Sequence, residues 1–397
     1  MNLSEIKQLD AEHFLGVFGE RCPVCFVRGE GCTLYDQDGR AYTDLFAGIA
    51  VNALGYNHPA VTDALIAQAQ TGILHTSNLY YVEPQAKLAK LLVENTFADK
   101  VFFGNSGAEA NEGCIKLACK YFYEKGEDRW EIISAANSFH GRTLATIAAT
   151  GQKKYQKPYK PLLPQGIVNV PFNDLDAIKN AVTPHTAAVM LEVIQAEGGV
   201  IEGTKEYIQG VRALCDEKGI LLIIDEVQTG MGRCGKLFAH ELYGIEPDIM
   251  SAAKALGNGV PIGAVLAKGE IADAFHPGDH GSTFGGNALA CATGLAVLST
   301  MLEEDIPGKA AKTGAYLKGK LKALAADKDA MLDVRGQGLL LGVQLDEKHP
   351  AGVAVSALLT KGFVTGTAAG NVLRLLPPLI VSEAECDGLV AALADIL

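Results

Sequence analysis

Lys254 is the single charged residue in the segment SAAKALGNGVPIGAVLA, residues 251–267. The other residues of this segment are small or apolar, which is typical of a buried region, and an ammonium group is costly to remove from water. A lysine that is removed from water has a lowered pKa and can act as a neutral amine, which forms a Schiff base with a carbonyl. Most lysines instead extend to the surface, so Lys254 needs partners before it can be assigned this chemistry.

Asp225 is the second candidate, because it follows the apolar run GILLII and is itself followed by Glu226. Such a run predicts a buried strand, and open parallel sheets bind ligands beyond the carboxyl ends of their strands. A carboxylate there is stable only when a cation or a donor meets it, and a helix cap or a salt bridge is the simpler explanation of Asp225 alone. The glycines of GMGRCG (230–235) do not indicate a dinucleotide site, because two acids precede them and no clear helix follows.

An anion site is predicted in VFFGNSGAEANEGCIKLA, residues 101–118. This pattern predicts a strand, a turn of small residues and a helix that runs from Ala108 to about Lys125. The amides of Gly107 and Ala108 would point toward an anion, with the Ser106 hydroxyl as a further donor. Taken alone, Ser106 would be an ordinary N-cap. A second candidate is the glycine-flanked segment HGSTFGGN, which contains Ser282 and Thr283.

One ligand, pyridoxal 5'-phosphate, would use all three features. Its aldehyde suits Lys254, its phosphate suits the predicted helix N-terminus at Gly107, and its pyridine nitrogen suits Asp225. The carboxylate of Asp225 would keep that nitrogen protonated, so that the ring can accept electrons from a carbanion. The sequence therefore predicts pyridoxal phosphate as the cofactor.

Apolar runs that alternate with helical patterns from about residue 100 predict an α/β fold. The runs are KVFFG, EIISAA, AAVMLEVI, GILLIIDEV and DIMSAAK. Near-continuous apolar strands with helices between them indicate a mostly parallel sheet that is buried on both faces. The sequence after this region, with its long helical stretches and the run LLLGVQL, predicts a smaller α+β domain.

Seven motifs, spread over nearly the whole chain, resemble those of the class III, fold-type I pyridoxal-phosphate-dependent aminotransferases. They are GIAVNALGYNHP, HTSNLYYVEPQ, FFGNSGAEANE, SFHGRT, IIDEVQTGMGR, AKALGNGVPIGA and GSTFGGN. Each motif is weak alone, but together they are highly specific. The resemblance implies a fold-type I transferase with three parts: an N-terminal segment (1–55) that contributes to the small domain, a large cofactor-binding domain (56–295) and a C-terminal small domain (296–397).

The resemblance also implies cofactor roles for the matched residues. Lys254 would form the Schiff base with the cofactor and then carry a proton, while Asp225 would pair with the pyridine nitrogen. The other expected contacts are Gln228 with the ring hydroxyl, Phe139 stacked on the ring, and Ser106, Gly107 and Ala108 with the phosphate. Thr283 would reach the phosphate in the neighbouring subunit, which makes a homodimer necessary for activity.

Two arginines are expected to bind substrate carboxylates. Guanidinium groups hold carboxylates bidentately, so Arg142 and Arg374 suit a dicarboxylate such as 2-oxoglutarate. The resemblance implies that Glu197 pairs with Arg374 while an ω-amine donor is bound and releases it for 2-oxoglutarate. Arg142 would hold the distal α-carboxylate of the donor, with Ser282 as a further contact. Taken alone, either arginine would be a surface ion pair.

Three residues depart from the family pattern. Ala196 and Asn258 stand where the family usually has glycine, and Ala288 stands where it usually has proline. Cofactor binding is expected to survive these changes. The methyl group of Ala196 lies next to Glu197 in the chain and therefore bears on substrate preference.

The expected reaction transfers the δ-amino group of N2-acetyl-L-ornithine to 2-oxoglutarate. The products are N-acetyl-L-glutamate 5-semialdehyde and L-glutamate, and the reaction belongs to arginine biosynthesis. Ornithine, 4-aminobutyrate and succinyldiaminopimelate stay open as donors, although FAGIAVN lacks the tyrosine with which ornithine enzymes usually hold the free α-amino group. Two other classes stay open as well, a cofactor-free Schiff-base aldolase that uses Lys254 and a non-catalytic scaffold.

The composition of the chain limits its expected binding partners and its expected location in the cell. The chain has 397 residues and a formal net charge of −12, which disfavours a nucleic-acid partner. The absence of a long apolar run and of a signal-peptide pattern predicts a cytoplasmic protein that does not span a membrane. Cys22 and Cys25 form a C-x-x-C motif but lack the further ligands of a zinc site, so no metal is expected.

Overall fold

The computed structural model describes residues 1–397. Its strands are Phe26–Glu30 (β1), Thr33–Asp36 (β2), Ala41–Asp44 (β3), Lys100–Gly104 (β4), Glu131–Ala135 (β5), Ile167–Val170 (β6), Thr186–Leu191 (β7), Ile194–Gln195 (β8), Ile201–Glu202 (β9), Leu221–Asp225 (β10), Ile249–Ala252 (β11), Gly263–Ala267 (β12), Met331–Gln337 (β13), Leu340–Leu345 (β14), Phe363–Val364 (β15), Gly366–Ala368 (β16) and Val372–Leu375 (β17).

Its α-helices are Leu3–His13 (α1), Ala47–Ala50 (α2), Pro59–Gln70 (α3), Glu83–Glu94 (α4), Gly107–Glu124 (α5), Leu144–Ala149 (α6), Lys153–Gln156 (α7), Leu175–Ala181 (α8), Lys205–Lys218 (α9), Gly269–Ala272 (α10), Ala288–Glu303 (α11), Ile306–Asp327 (α12), Ala351–Thr360 (α13) and Glu383–Ile396 (α14). Short 3₁₀ helices span Lys157–Leu162, Ala239–Tyr243 and Lys254–Leu256. No helix is both long and apolar enough to cross a membrane.

A seven-stranded sheet with the order β4-β12-β11-β10-β7-β5-β6 forms the centre of the fold. The strands β11, β10, β7, β5 and β6 are parallel, while β12 runs antiparallel to both β11 and β4. The predicted α/β fold with a mostly parallel sheet is therefore confirmed. The sequence did not predict β12, because periodicity cannot distinguish the short run GAVLA from a buried helical segment.

Both faces of this sheet are buried, and β10 shows why its sequence is apolar throughout. Successive side chains of a strand point to opposite faces. Leu222 and Ile224 belong to a cluster that includes residues of α9, whereas Leu221 and Ile223 belong to a cluster that includes residues of α5. Every position from 221 to 224 therefore needs an aliphatic side chain, and the first polar residue is Asp225, where the strand ends.

The strand registers bring chemically active residues to one edge of the sheet. Ile224 of β10 pairs with Leu191 of β7, and Asp225 pairs with Ser251 of β11. The carboxyl ends of the three strands therefore lie side by side. Lys254 follows the end of β11 by two residues, so its backbone lies at the same edge of the sheet as Asp225.

A C-terminal antiparallel sheet, β13-β14-β17-β16, lies beside α12, α13 and α14. Arg374 is in its strand β17, which pairs with β14 and β16. A further sheet joins β1, β2 and β3 to β15, so the N-terminal strands pair with a strand from the C-terminal part of the chain. The domain boundaries at residues 55 and 295 remain predictions.

Candidate active site

A cavity of about 440 Å³ opens at the carboxyl edge of the central sheet. It is lined by residues from β10, from the N-terminus of α5, and from the segments that follow β5 and β11. Eight residues that the sequence singled out share its wall: Ser106, Gly107, Ala108, Phe139, Arg142, Asp225, Gln228 and Lys254. Residues from distant parts of the sequence thus meet in one enclosed space, as ligand sites in open α/β sheets do.

Lys254 has a backbone φ of 48°, which lies in the left-handed region that non-glycine residues rarely adopt. Such a conformation costs on the order of 1 kcal/mol and persists where the surrounding structure holds it. Burial lowers the pKa of the Lys254 amine to about 8, although neighbouring carboxylates, first among them Glu197, act in the opposite direction. A substantial fraction of this amine is therefore neutral at physiological pH.

Four donors surround the carboxylate of Asp225. His140 Nδ1 lies 2.7 Å from Oδ2, and the Asn111 amide donates to the same oxygen over 2.7 Å. The backbone N–H of Val227 donates to Oδ1 at 2.9 Å, and the Ser251 hydroxyl donates to it at 3.3 Å. This environment meets the requirement that a buried carboxylate be fully hydrogen-bonded. Burial acts to lower the pKa of His140, but the hydrogen bond to Asp225 and the negative charges of Asp225 and Glu192 together raise it.

The N-terminus of α5 offers the cavity two free amides. Ser106 is the N-cap and accepts a hydrogen bond from Glu109 N at 3.2 Å, while the amides of Gly107 and Ala108 have no acceptor within the protein. A Cβ atom on Gly107 would come within 2.7 Å of Val227 Cγ1, so this position requires glycine. Unpaired amides at the start of an 18-residue helix fit an anion such as a phosphate.

Glu197 and Arg374 form an ion pair beside the cavity. Arg374 Nη1 donates to Glu197 Oε1 at 2.5 Å and to the side-chain oxygen of Gln228 at 3.2 Å. Burial acts to raise the pKa of Glu197, but the Arg374 guanidinium outweighs it and the pKa is lowered. Gln228 lines the cavity, so it connects the ion pair to the space that Lys254 occupies.

Arg142 lies at the rim of the cavity and is exposed. Its guanidinium carbon stacks 3.7 Å from the centre of the Tyr155 ring and 5.2 Å from that of Phe139. It forms no salt bridge, so its donors remain available to a carboxylate. Tyr155 is half-buried and was not predicted from the sequence, because nothing in its neighbourhood distinguishes it from other aromatic residues.

Ser282 and Thr283 do not line the cavity of their own chain. The Ser282 hydroxyl accepts hydrogen bonds at 3.0 Å from the side chain of Asn105 and from the backbone of Gly285. Thr283 is exposed and forms no hydrogen bond through its side chain. Within one chain, neither residue joins the other predicted site residues.

Sequence reasoning missed three buried residues that belong to this site: Asn111, His140 and Glu192. Asn111 and His140 lie inside two of the matched motifs, but their task of holding Asp225 depends on contacts across the fold. Glu192 could have been found by the signal that revealed Asp225, because it directly follows the apolar strand β7. Its Oε2 accepts a hydrogen bond from Phe139 N at 2.9 Å, and burial raises the pKa of Glu192 to about 7.

The structure shows the surroundings of two of the residues that depart from the family pattern, Asn258 and Ala196. Asn258 has a φ of 42°, and its side chain donates to Gly55 O at 3.1 Å and accepts from Leu54 N at 2.8 Å. Asparagine tolerates the left-handed region better than most residues, which explains how it replaces a glycine. Ala196 is fully buried directly before Glu197.

The fold and this cavity define a family, and comparison with known proteins gives the same result. The family model for aminotransferase class-III matches residues 17–397. The chain belongs to the class-III aminotransferases, a family that depends on pyridoxal phosphate. This membership confirms the predicted enzyme class over the Schiff-base aldolase and the non-catalytic scaffold.

Individual relatives cover almost the whole chain. The acetylornithine aminotransferase of Caldanaerobacter subterraneus subsp. tengcongensis is 50% identical over 378 residues, which is 95% of both chains. The acetylornithine aminotransferase of Methanothermobacter thermautotrophicus is 47% identical over 397 residues, which is 100% of this chain and 99% of the relative. Among solved structures, the ornithine aminotransferase of Toxoplasma gondii superposes with a TM-score of 0.94 at 30% identity and covers 100% of this chain and 94% of that one.

The lowered pKa of Lys254 predicts an unusual reactivity in protein that has been freed of cofactor. The rate of its acetylation by trace acetic anhydride should rise with pH to a midpoint near 8, because only the neutral amine reacts. Peptide mass spectrometry over pH 6–11 measures this rate, and the exposed Lys348 serves as an internal reference. A Lys254 midpoint near the ordinary value of about 10.4 would contradict the account.

Proposed function

We propose that this protein is an acetylornithine aminotransferase, which transfers the δ-amino group of N2-acetyl-L-ornithine to 2-oxoglutarate in arginine biosynthesis. The observation that carries the proposal is the Glu197–Arg374 ion pair beside the cavity of Lys254. An arginine that can pair with a carboxylate of the protein suits an enzyme with two unlike substrates. 2-Oxoglutarate has a carboxylate beside the reacting carbon, whereas N2-acetyl-L-ornithine has none there.

The residues of the cavity fit pyridoxal phosphate. Gly107 and Ala108 would hold its phosphate, Asp225 its ring nitrogen, Gln228 its ring hydroxyl and Phe139 one face of its ring. The free amides of α5 and the fully hydrogen-bonded carboxylate of Asp225 support this arrangement. When bound, the cofactor supplies an aldehyde for amines and a ring that accepts electrons.

Lys254 would carry the proton during the reaction. Its amine is partly neutral near pH 8, so it can take a proton from the δ-carbon of the donor and later return one to the α-carbon of the new glutamate. The neighbouring carboxylates of Glu197 and Asp225 stabilise the protonated amine between these two events. A group whose pKa is near the working pH is suited to both steps.

The two arginines would distinguish the two substrates. Arg142 at the rim has free donors for the distal α-carboxylate of N2-acetyl-L-ornithine and for the distal carboxylate of 2-oxoglutarate. Glu197 neutralises the charge of Arg374 while the donor is bound. This suits N2-acetyl-L-ornithine, which has no carboxylate beside its δ-carbon to pair with Arg374. When 2-oxoglutarate binds, its α-carboxylate would displace Glu197 from Arg374, because it offers the same charge and two oxygens.

Ornithine is the main alternative donor, and two observations weigh against it. The relatives with about half of their residues identical to this chain are acetylornithine aminotransferases, while the ornithine enzyme of Toxoplasma gondii shares 30%. The stretch FAGIAVN contributes the aliphatic Val51 to the cavity and contains no tyrosine to hold a free α-amino group.

A homodimer would complete the site through Thr283. The loop of Thr283 is tied to Asn78, whose amide donates to Ser282 O at 3.1 Å and to Gly285 O at 2.9 Å. Around this junction Leu79 and Phe284 are 87% and 61% exposed, which forms an apolar surface of the kind that subunit interfaces cover. A second copy seated there would bring its Thr283 toward the first copy's cavity.

The visible spectrum of the purified protein tests the proposed reaction. With pyridoxal phosphate bound and 2-oxoglutarate absent, N2-acetyl-L-ornithine should bleach the yellow band about tenfold faster, or more, than ornithine or 4-aminobutyrate at equal concentration. A band that persists with N2-acetyl-L-ornithine but bleaches with another donor would show that the protein is an aminotransferase for that other donor. Absence of any band after incubation with pyridoxal phosphate would overturn the cofactor assignment.

Mixed dimers test the shared site. Lys254→Ala and Thr283→Glu homodimers should both be inactive, the second because an added carboxylate repels a phosphate. A doubly tagged heterodimer of the two variants keeps one site with both residues intact, so it should regain about half of the wild-type turnover per dimer. An inactive heterodimer would show that Thr283 serves its own chain, and an active Thr283→Glu homodimer would show that it serves no site.

A further inference from the structure

Glu192 is a second buried carboxyl group at the carboxyl edge of the central sheet. It follows Leu191, the last residue of β7, which pairs with Ile224 of β10, so Glu192 and Asp225 emerge side by side. Both residues line the cavity together with Lys254, and Glu192 is only 5% exposed. Neither the sequence motifs nor the proposed mechanism assigns a task to Glu192.

The two carboxyl groups have very different surroundings. Asp225 accepts four hydrogen bonds, which stabilise its charge. Glu192 accepts one, from the backbone N–H of Phe139, and it forms no salt bridge. A buried carboxyl group with few donors to stabilise its charge favours its protonated form, which applies to Glu192.

Four titratable groups act on the charge of Glu192. Two are cations that favour its ionised form, and two are carboxylates that oppose it; they are His140, Lys254, Asp225 and Glu197. Burial is the largest influence and raises the pKa of Glu192 to about 7, with further rises from Asp225 and Glu197 and an opposing effect of His140. The carboxyl group is thus able to exchange its proton under physiological conditions.

The proposed substrate adds negative charge to this cavity. A dicarboxylate keto acid brings two carboxylates, and on the proposed mechanism one of them displaces Glu197 from Arg374. The displaced Glu197 then leaves a further uncompensated charge near Glu192. Like charges on buried groups repel more strongly than in bulk water, and a carboxyl group relieves this repulsion by taking up a proton.

We propose that Glu192 is a specificity-determining residue for the keto-acid substrate, whose carboxyl group takes up a proton when a dicarboxylate enters the cavity. This inference rests on the proposed function, since it requires that a dicarboxylate bind beside Arg142 and Arg374. The protonated Glu192 keeps its hydrogen bond with Phe139 N, so the wall of the cavity is preserved while its charge is removed. Glu192 thereby makes the cavity bind a dianion more tightly at neutral pH than at alkaline pH.

The direction of the pH dependence follows from this linkage. Below about pH 6 Glu192 is already protonated, so a dicarboxylate binds without proton uptake. Above pH 7 the free protein has lost the proton and must regain it, which weakens binding as the pH rises. One pH unit of such linkage corresponds to a tenfold change in affinity, so we expect the dissociation constant to rise roughly tenfold between pH 6 and pH 8.5.

Calorimetry of glutarate binding to the holoenzyme tests the proposal without turnover, because glutarate has no carbonyl to react. Binding heats in two buffers of different ionisation enthalpy give the number of protons taken up. The wild type should take up about half a proton or more at pH 7.5, Glu192→Gln should take up less than half as much, and Glu192→Asp should restore most of the uptake. Glu347→Gln removes one exposed charge whose side chain forms no hydrogen bond or salt bridge, and it should match the wild type.

Glutamine at position 192 still accepts the hydrogen bond from Phe139, and the variant retains His140 and the cofactor-bound Lys254. The difference in proton uptake therefore belongs to Glu192. Equal uptake in wild type and Glu192→Gln overturns the proposal, as does the absence of glutarate binding, while the spectral test with N2-acetyl-L-ornithine still decides the proposed function. If Glu192→Gln does not fold, Glu192→Ala takes its place: a loss of more than half of the wild-type uptake supports the proposal, and unchanged uptake overturns it.

Discussion

The charge of Asp225 at the end of a fully apolar strand is the constraint on which the rest of the site depends. An unpartnered carboxylate in that position would cost several kcal/mol, so the fold must deliver donors to it. It does so with donors from four places in the chain: Asn111 of α5, His140 after β5, Val227 after β10 and Ser251 of the neighbouring strand β11. The strand order and register of the central sheet thus bring these donors to the carboxylate of Asp225.

The same edge of the sheet places an amine and an ion pair around that anion. Lys254 follows the strand next to β10, its backbone φ is 48°, and burial lowers the pKa of its amine. Arg374 arrives from a separate sheet, and its contact with Gln228 joins that sheet to the cavity. Asp225, Lys254 and the Arg374–Glu197 ion pair thus meet at or beside one cavity.

The sequence predicted the residues with local signals and missed those whose role is defined by contacts. Lys254 in an apolar segment, Asp225 after an apolar strand and Gly107 before a helix each carry a signal within a few residues, and all three line the cavity. Asn111 and His140 gave no such signal, because their partner Asp225 is 114 and 85 residues away in the chain. Glu192 had the same local signal as Asp225 but no motif to draw attention to it.

The central claim is that Lys254 is the amine that the cavity reserves for pyridoxal phosphate. Borohydride treatment of the protein loaded with pyridoxal phosphate, followed by proteolysis and peptide mass mapping, tests it directly. The account predicts a phosphopyridoxyl group on Lys254 and on no other lysine, since this amine alone combines a lowered pKa with a neighbouring anion site. Label on surface lysines with Lys254 unmodified would contradict the account.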